Sequence, residues 1–465
     1  MPRILMVTAE AAPFAKTGGL ADVLGALPPA LARLGEEVGV VMPRYDVASI
    51  PESQRVWHAM PLVVGPNRYT AAIDQVTVGG ARYWFVDCPP LYNRGQVYGN
   101  FADNHVRFAA LNLAAIGIAR HMFRPDVFHG HDWPAGLLPV YLRENLRNDP
   151  TFFGAKCVTT IHNLGYQGNF PASCISDTGL NRALFHSEGL EFWGRLSFMK
   201  AGIVWSDAIT TVSPTYAREI QTQEYGFSMD GLLRARSSRV HGILNGADYG
   251  EWNPETDAFA AHHFSSKNLA GKRAAKKALL AEVGLPANPD RPLLAVISRF
   301  AEQKGLDLIA AIVKDLLEED TAVVILGEGD AQFEEMFREL ARDFPETFAV
   351  RVGYDNGLAH RIEAGADLFL MPSRYEPCGL SQIYSLRYGT VPIVRATGGL
   401  EDTVDETTGF KFHEHTPAAL LHSIRKAITE WKDRKTWLQR MRRGMAKDFS
   451  WAASAVEYQK LYRSL

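Results

Sequence analysis

The chain has 465 residues, more than one hydrophobic core usually serves, so two domains are expected. Its composition, 46% hydrophobic, 22% charged and 11% aromatic, is that of an ordinary soluble globular protein. With 49 Lys+Arg against 52 Asp+Glu the net charge is −3, which lacks the basic field of a nucleic-acid binder and suits a neutral polymer as partner.

The four cysteines, Cys88, Cys157, Cys174 and Cys378, are scattered without a C-x-x-C pair and read as reduced thiols of a cytosolic protein. Glu10 and Pro13 interrupt the apolar N-terminus too early for a signal peptide. No apolar run approaches the roughly 20 residues of a membrane span. A cytoplasmic chain with no membrane partner is expected.

Short apolar runs alternate with helical patterns, which predicts βαβ units and parallel sheets. Ile4–Thr8 reads as a strand, followed by a helical stripe through Leu20, Val23, Leu24, Leu27, Leu31 and Leu34 with an expected kink at Pro28-Pro29. Further strands are expected at Val38–Met42, Val127–Gly130, Lys156–Thr160 and Ala208–Val212. The alternation restarts at Leu293–Ser298 and runs through Ala322–Gly327, Phe348–Val352, Leu368–Pro372 and Pro392–Arg395. The expected division is residues 1–245, residues 246–448, and an amphipathic segment 449–465 that crosses back to the first domain. Gly18-Gly19-Leu20-Ala21-Asp22 is echoed by Gly398-Gly399-Leu400-Glu401-Asp402, each at a helix start.

Ligands of open parallel sheets bind beyond the carboxyl ends of the strands, and the polar clusters fall there. His131-Asp132-Trp133, His162-Asn163, Arg299, Gly327-Glu328-Gly329, Ser373–Leu380 and Thr397-Gly398-Gly399 each follow a predicted strand. Two such sheets facing each other would gather these groups in one interdomain cleft. Lys16 with Gly18-Gly19 suits a phosphate at a helix N-terminus, or is a turn glycine pair beside a solvated lysine. Arg299 and Lys304 suit a diphosphate leaving group, or are two surface cations. Glu376 precedes Pro377 and Gly379 and either grips sugar hydroxyls or complements a helix dipole. Cys378 is reactive at that helix start or simply buried.

His129, His131 and Asp132 share a strand end but supply no third spaced zinc ligand, and His413-Glu414-His415 reads as a polar loop. No metal and no cofactor are expected. A glycosidase built on Asp132 and Glu376 would leave the cations unexplained, and no G-x-S-x-G elbow is present.

Together these motifs resemble the bacterial glycogen synthases and related plant starch synthases, retaining glycosyltransferases with two Rossmann-like domains facing a cleft (the GT-B type). The resemblance runs nearly the whole chain, from Lys16–Val23 through His131-Asp132-Trp133, His162-Asn163-Leu164, Gly189–Phe192 and Val212–Tyr216 to Asn245-Gly246, Gln303–Asp307, Pro372–Leu380 and Thr397–Leu400. It implies an α/β fold, ADP-glucose as donor and the non-reducing end of glycogen or another α-1,4-glucan as acceptor. By that resemblance Arg299 and Lys304 hold the diphosphate, with Lys16 beside it. Gly18, Gly19, Gly379 and Leu380 supply backbone donors, while Tyr354, Thr397 and Gly398 line the nucleotide side. Glu376, His162 and Asn163 position the glucose near Asp22, Asn245 and Cys378, and Tyr98 and Asp132 serve the acceptor. Phe300 and Pro134 depart from the family pattern, and Pro134 lies where the acceptor groove would be affected. A nucleotide-sugar epimerase and a non-catalytic sugar-nucleotide sensor are the alternatives on this architecture.

Overall fold

The computed structural model describes residues 2–465. Contacts divide the chain into two compact units, the first running up to Gly246 and including Trp451–Leu465, the second spanning Ala247–Ser450.

The first unit holds β1 (Arg3–Val7), β2 (Glu37–Pro43), β3 (Gln54–Val64), β4 (Asn67–Val78), β5 (Ala81–Asp87), β6 (Val127–His131) and β7 (Lys156–Ile161). A small antiparallel sheet follows, β8 (Asn169–Pro171), β9 (Glu191–Phe192) and β10 (Arg195–Ser197), and then β11 (Ala208–Thr211) and β12 (Val240–Gly242). The main sheet has the order β12-β11-β7-β6-β1-β2-β5-β4-β3. It is parallel from β12 to β5 and turns antiparallel at β4 and β3. The chain leaves β1 on both sides, to β2 and to β6, which makes their carboxyl ends a topological switch point.

The helix Gly19–Arg33 continues through Pro28 and Pro29, both buried inside it. Pro28 has no N–H for the Leu24 carbonyl four residues back. The Tyr83 hydroxyl, from β5, donates to that carbonyl at 2.9 Å instead. The helix Trp451–Ser464 belongs to the first unit, where Gln459 donates to Glu36 at 2.7 Å and Tyr458 and Tyr462 are buried.

The second unit is a six-stranded parallel sheet of β13 (Leu293–Ile297), β14 (Ala322–Gly327), β15 (Phe348–Val352), β16 (Leu368–Met371), β17 (Val391–Arg395) and β18 (Phe410–Phe412). Its order β15-β14-β13-β16-β17-β18 is the doubly wound 3-2-1-4-5-6 pattern, with the switch point between β13 and β16. Both faces are covered, and alternate residues go to different cores. Leu294, Val296, Val323 and Ile325 enter one apolar cluster, while Leu293, Ala295, Val324 and Phe369 enter the other. Each unit therefore presents a rigid row of strand ends on which side chains can be fixed.

Candidate active site

In the first unit the site begins at the carboxyl end of β1. Lys16 forms an ion pair with Asp22 at 2.6 Å, and both side chains are partly exposed. Gly18 is the extended residue before the helix, and Gly19 opens it, where an N–H has no carbonyl one turn back. A Cβ built on either glycine meets nothing within 4 Å. Packing does not require glycine at these positions, so the space is left for something outside the fold.

Glu10 lies beneath this loop at 3% exposure. Its Oε2 accepts from the Thr17 N–H at 2.5 Å and the Gly18 N–H at 3.3 Å, and its Oε1 accepts from the Tyr98 hydroxyl at 2.9 Å. The Gly18 N–H is thus committed to Glu10, and of the two expected glycine donors only Gly19 has no hydrogen bond among the described residues. The signal that marks Glu10 is a lone acidic residue among alanines just past a buried strand.

Beyond β6, Asp132 has φ 55° and ψ −173°, a region almost reserved for glycine. The strain is held by the Asp132 N–H donating to Thr160 and by the His162 N–H donating to the Asp132 carboxylate at 2.7 Å. Burial pushes that carboxyl up to about 7, against the pull of the His162 and Asn163 amides. His162 follows β7 and shares a 3.0 Å hydrogen bond with His131. The His131 ring lies tilted against that of His129, centroids 4.1 Å apart, and His129 is bonded to Thr160 and to Tyr462 of the C-terminal helix. Burial drives His129 and His162 down to about 3 and His131 well below its ordinary value, so all three are neutral. Asn163 uses its Oδ1 to accept from Gly165 in the turn. Asn245 is buried, and its Oδ1 has no partner.

In the second unit Arg299 is exposed beyond β13 and makes no ion pair among the described residues. Lys304 sits on a single turn, Glu302–Lys304, and its ammonium reaches the Glu376 carboxylate at 2.6 Å. Ser373 donates to the same oxygen at 3.1 Å. Gly305 makes this approach feasible: its φ is +66°, and a Cβ there would lie 2.0 Å from the Pro372 carbonyl. Gln303 and Arg374 then tie the two strand-end loops through a 2.8 Å backbone bond. The Gly379 and Leu380 N–H groups have no hydrogen bond among the described residues, and Tyr354 stands exposed beyond β15. Cys378 is a buried free thiol.

Two expected nucleotide-side residues, Thr397 and Gly398, follow β17. Thr397 is fully buried, and Gly398, at φ +47°, has its Cβ position 1.8 Å from the Glu376 carbonyl. They lie under the Glu376 loop because the chain there must pass at backbone-to-backbone distance.

Both His129 ring nitrogens are bonded to hydroxyls, whereas His131 bonds His162 through Nδ1 and its Nε2 has no hydrogen-bond partner among the described residues. A grouping not read from the sequence, His105, Cys174 and Asp177, brings ligand atoms within 4.8 Å of one another. His105 and Asp177 are already bonded to each other at 3.0 Å. Among the described residues no helix is long and apolar enough to cross a membrane.

Residues 3–235 match the family model described as starch synthase catalytic domain, and residues 282–443 match that of glycosyl transferases group 1. The chain is 47% identical to the glycogen synthase of Koribacter versatilis over 99% of its length and 97% of that protein's. It is 49% identical to a glycogen synthase of Anaeromyxobacter dehalogenans, covering 100% of this chain and 99% of the relative. The catalytic domain of Arabidopsis thaliana starch synthase IV, solved with ADP and acarbose, superposes with a TM-score of 0.92 at 33% identity, over 100% of this chain and 99% of that one. Sucrose-phosphate synthase of Thermosynechococcus elongatus, at 18% identity and a TM-score of 0.65 over 100% and 99%, shares the fold. The chain belongs to the glycogen and starch synthase family of retaining glycosyltransferases.

Proposed function

We propose that this chain is a cytoplasmic glycogen synthase that moves glucose from ADP-glucose to the non-reducing end of an α-1,4-glucan with retention of configuration. The observation that carries the reading is the Lys304–Glu376 ion pair at the second unit's switch point, with Arg299 uncommitted on the neighbouring strand end. A diphosphate arriving there competes with Glu376 for the Lys304 ammonium and gains Arg299 as a second cation. Glu376 is then free to accept hydroxyl hydrogen bonds from the sugar. Departure of ADP places charge on the phosphate, where both cations stabilise it more strongly than in the ground state.

The Gly379 and Leu380 amides add neutral donors on the same side, and Tyr354 offers an exposed ring for the adenine. From the first unit Lys16 and the Gly19 N–H serve the phosphate side, and neutral His162, with Asn163 and Asn245, serves the glucose. In the first unit Asp22 holds Lys16, and in the second Cys378 belongs to the Glu376 loop. Asp132 and Tyr98 serve the glucan. At neutral pH Asp132 is partly protonated, which makes it a poor nucleophile and suits a same-face attack through an oxocarbenium-like state.

The test is ADP release with and without glycogen. A synthase releases ADP in proportion to glucan added, whereas an epimerase or a sensor does not. R299A and K304A each lower turnover by about 100-fold or more, the cost of one electrostatic stabiliser in a preorganised site. Near-native turnover in either variant, with native melting, would remove the basis of the reading. A competition between ADP-glucose and UDP-glucose settles the donor base and sugar nucleotide.

A further inference from the structure

We infer that Glu10 is a positioning residue that holds the Lys16–Gly19 turn in the conformation that meets the donor. The inference rests on the proposed role of that turn at the phosphate side. A carboxylate at 3% exposure is costly unless it is hydrogen-bonded, and three donors converge on this one. Two of them are consecutive backbone amides, Thr17 and Gly18, so one oxygen fixes the orientation of two adjoining peptide planes. The next amide, Gly19, opens the helix and has no hydrogen bond among the described residues.

This is the reverse of what direct anion binding asks of the loop. A negative charge set behind a phosphate turn opposes an anionic ligand by Coulomb repulsion. Its value is therefore geometric. By occupying two amides that have freedom to point anywhere in a glycine-containing turn, Glu10 leaves one defined donor and one defined lysine stem. The Tyr98 hydroxyl closes the other oxygen and connects the turn to the aromatic group of Tyr98, Phe108 and Trp133, whose ring centroids lie 4.7–6.4 Å apart.

Geometry and charge are separated by two substitutions. E10A removes the acceptor and raises KM for ADP-glucose about tenfold, with a further fall in kcat, as expected when a positioning contact is lost. E10Q keeps an oxygen for the two amides and removes the charge, and it stays within about threefold of the native enzyme in both constants. Hydrogen exchange supplies a readout independent of turnover: peptides spanning residues 16–20 lose amide protection in E10A and retain it in E10Q. E10D, which withdraws the oxygen by one methylene, carries the E10A expectation should E10A not fold.

Native donor kinetics in E10A, or E10Q as impaired as E10A at an unchanged melting temperature, would overturn the inference. K16A distinguishes it from the reading beneath it. If K16A raises the donor KM and E10A does not, Glu10 alone has been misassigned. If neither variant alters donor kinetics, the whole turn has been.

Discussion

Gly18-Gly19-Leu20-Ala21-Asp22 and Gly398-Gly399-Leu400-Glu401-Asp402 are nearly the same five residues, and each starts a helix after a parallel strand. Their glycines are present for opposite reasons. At Gly18 and Gly19 a side chain would meet nothing within 4 Å. At Gly398 and Gly399 it would lie 1.8 Å from the Glu376 carbonyl and 2.2 Å from the Cys378 carbonyl. The first pair leaves room outside the protein, and the second lets two loops of the protein touch. A glycine motif shared between two strand ends therefore says little until the neighbouring volume is known.

The largest effect that can break this contrast is G398A. A methyl there collides with backbone and must also adopt φ +47°, so a loss of roughly 3 kcal/mol or more is expected. Denaturant melts of G398A and G399A measure it. Stability within about 0.5 kcal/mol of native in both, the scatter of surface substitutions, would remove the packing explanation.

The two units also differ in how they hold their charges, and acid separates them next. His129 and His162 titrate near 3 and His131 low, whereas the unfolded chain binds these protons below about 6.5. The first unit is therefore at full stability above 6.5 and loses it as the pH falls. Asp132, which keeps its proton up to about 7 when folded, offsets one of the three. In the second unit burial raises Glu363 to about 8 against Ser385 and Lys272, and its retained proton favours the folded state as pH falls from 8 toward 4.5. Lowering the pH from about 6.5 to 5.5 should cost the first unit roughly 2 kcal/mol and leave the second unchanged or slightly firmer. Proteolysis resolved by segment reads this, with cleavage appearing first around residues 127–162 rather than 363–390. Simultaneous loss of both units on acidification, or earlier loss of the second, would count against the neutral-histidine assignment.

Much of the fold was legible because buried parallel strands are continuous apolar runs. Ala322–Gly327 and Phe348–Val352 lie where the pattern puts them, and the other predicted strands differ by a residue or so at their ends. The antiparallel extension β3–β4 was not legible. In β3 a polar start at Gln54-Arg55 gives way to buried Met60, Leu62 and Val64 alternating with exposed residues across Pro61, and in β4 the buried stretch from Ala71 runs only three apolar residues before Asp74. β8, β9 and β10 are only two or three residues long and carry no periodicity. Pro28-Pro29 signalled a kink, but nothing local reveals that Tyr83, 59 residues away from Leu24, serves the carbonyl that Pro28 leaves unbonded.

The site follows the same division. Strand-end clusters such as Arg299 and Ser373–Leu380 could be located by rule, because the carboxyl ends of parallel strands are where ligands bind. What could not be read is who pairs with whom. Lys304 and Glu376 are 72 positions apart and in the sequence suit different parts of one substrate, yet they form an ion pair. Glu10 reads in the sequence as a mere interruption of an apolar stretch, because two of its partners are backbone amides, which carry no residue signature, and the third, Tyr98, is 88 positions away.

The smallest change in stability should come from G19A, and it sharpens the comparison most. Gly19 is the first residue of a 15-residue helix, alanine is a better helix former than glycine, and the methyl enters open space. Stability should therefore hold or rise by up to about 0.5 kcal/mol. Turnover should nevertheless fall about tenfold, or about 1.4 kcal/mol in transition-state free energy, because the methyl occupies the space beside the Gly19 N–H. G398A inverts both readouts, since its loss of activity should track its loss of fold. Measuring melting and kcat/KM on the two variants together decides between the explanations. A G19A protein that is both stable and fully active would mean that the open volume at the first glycine pair is not where the donor lies.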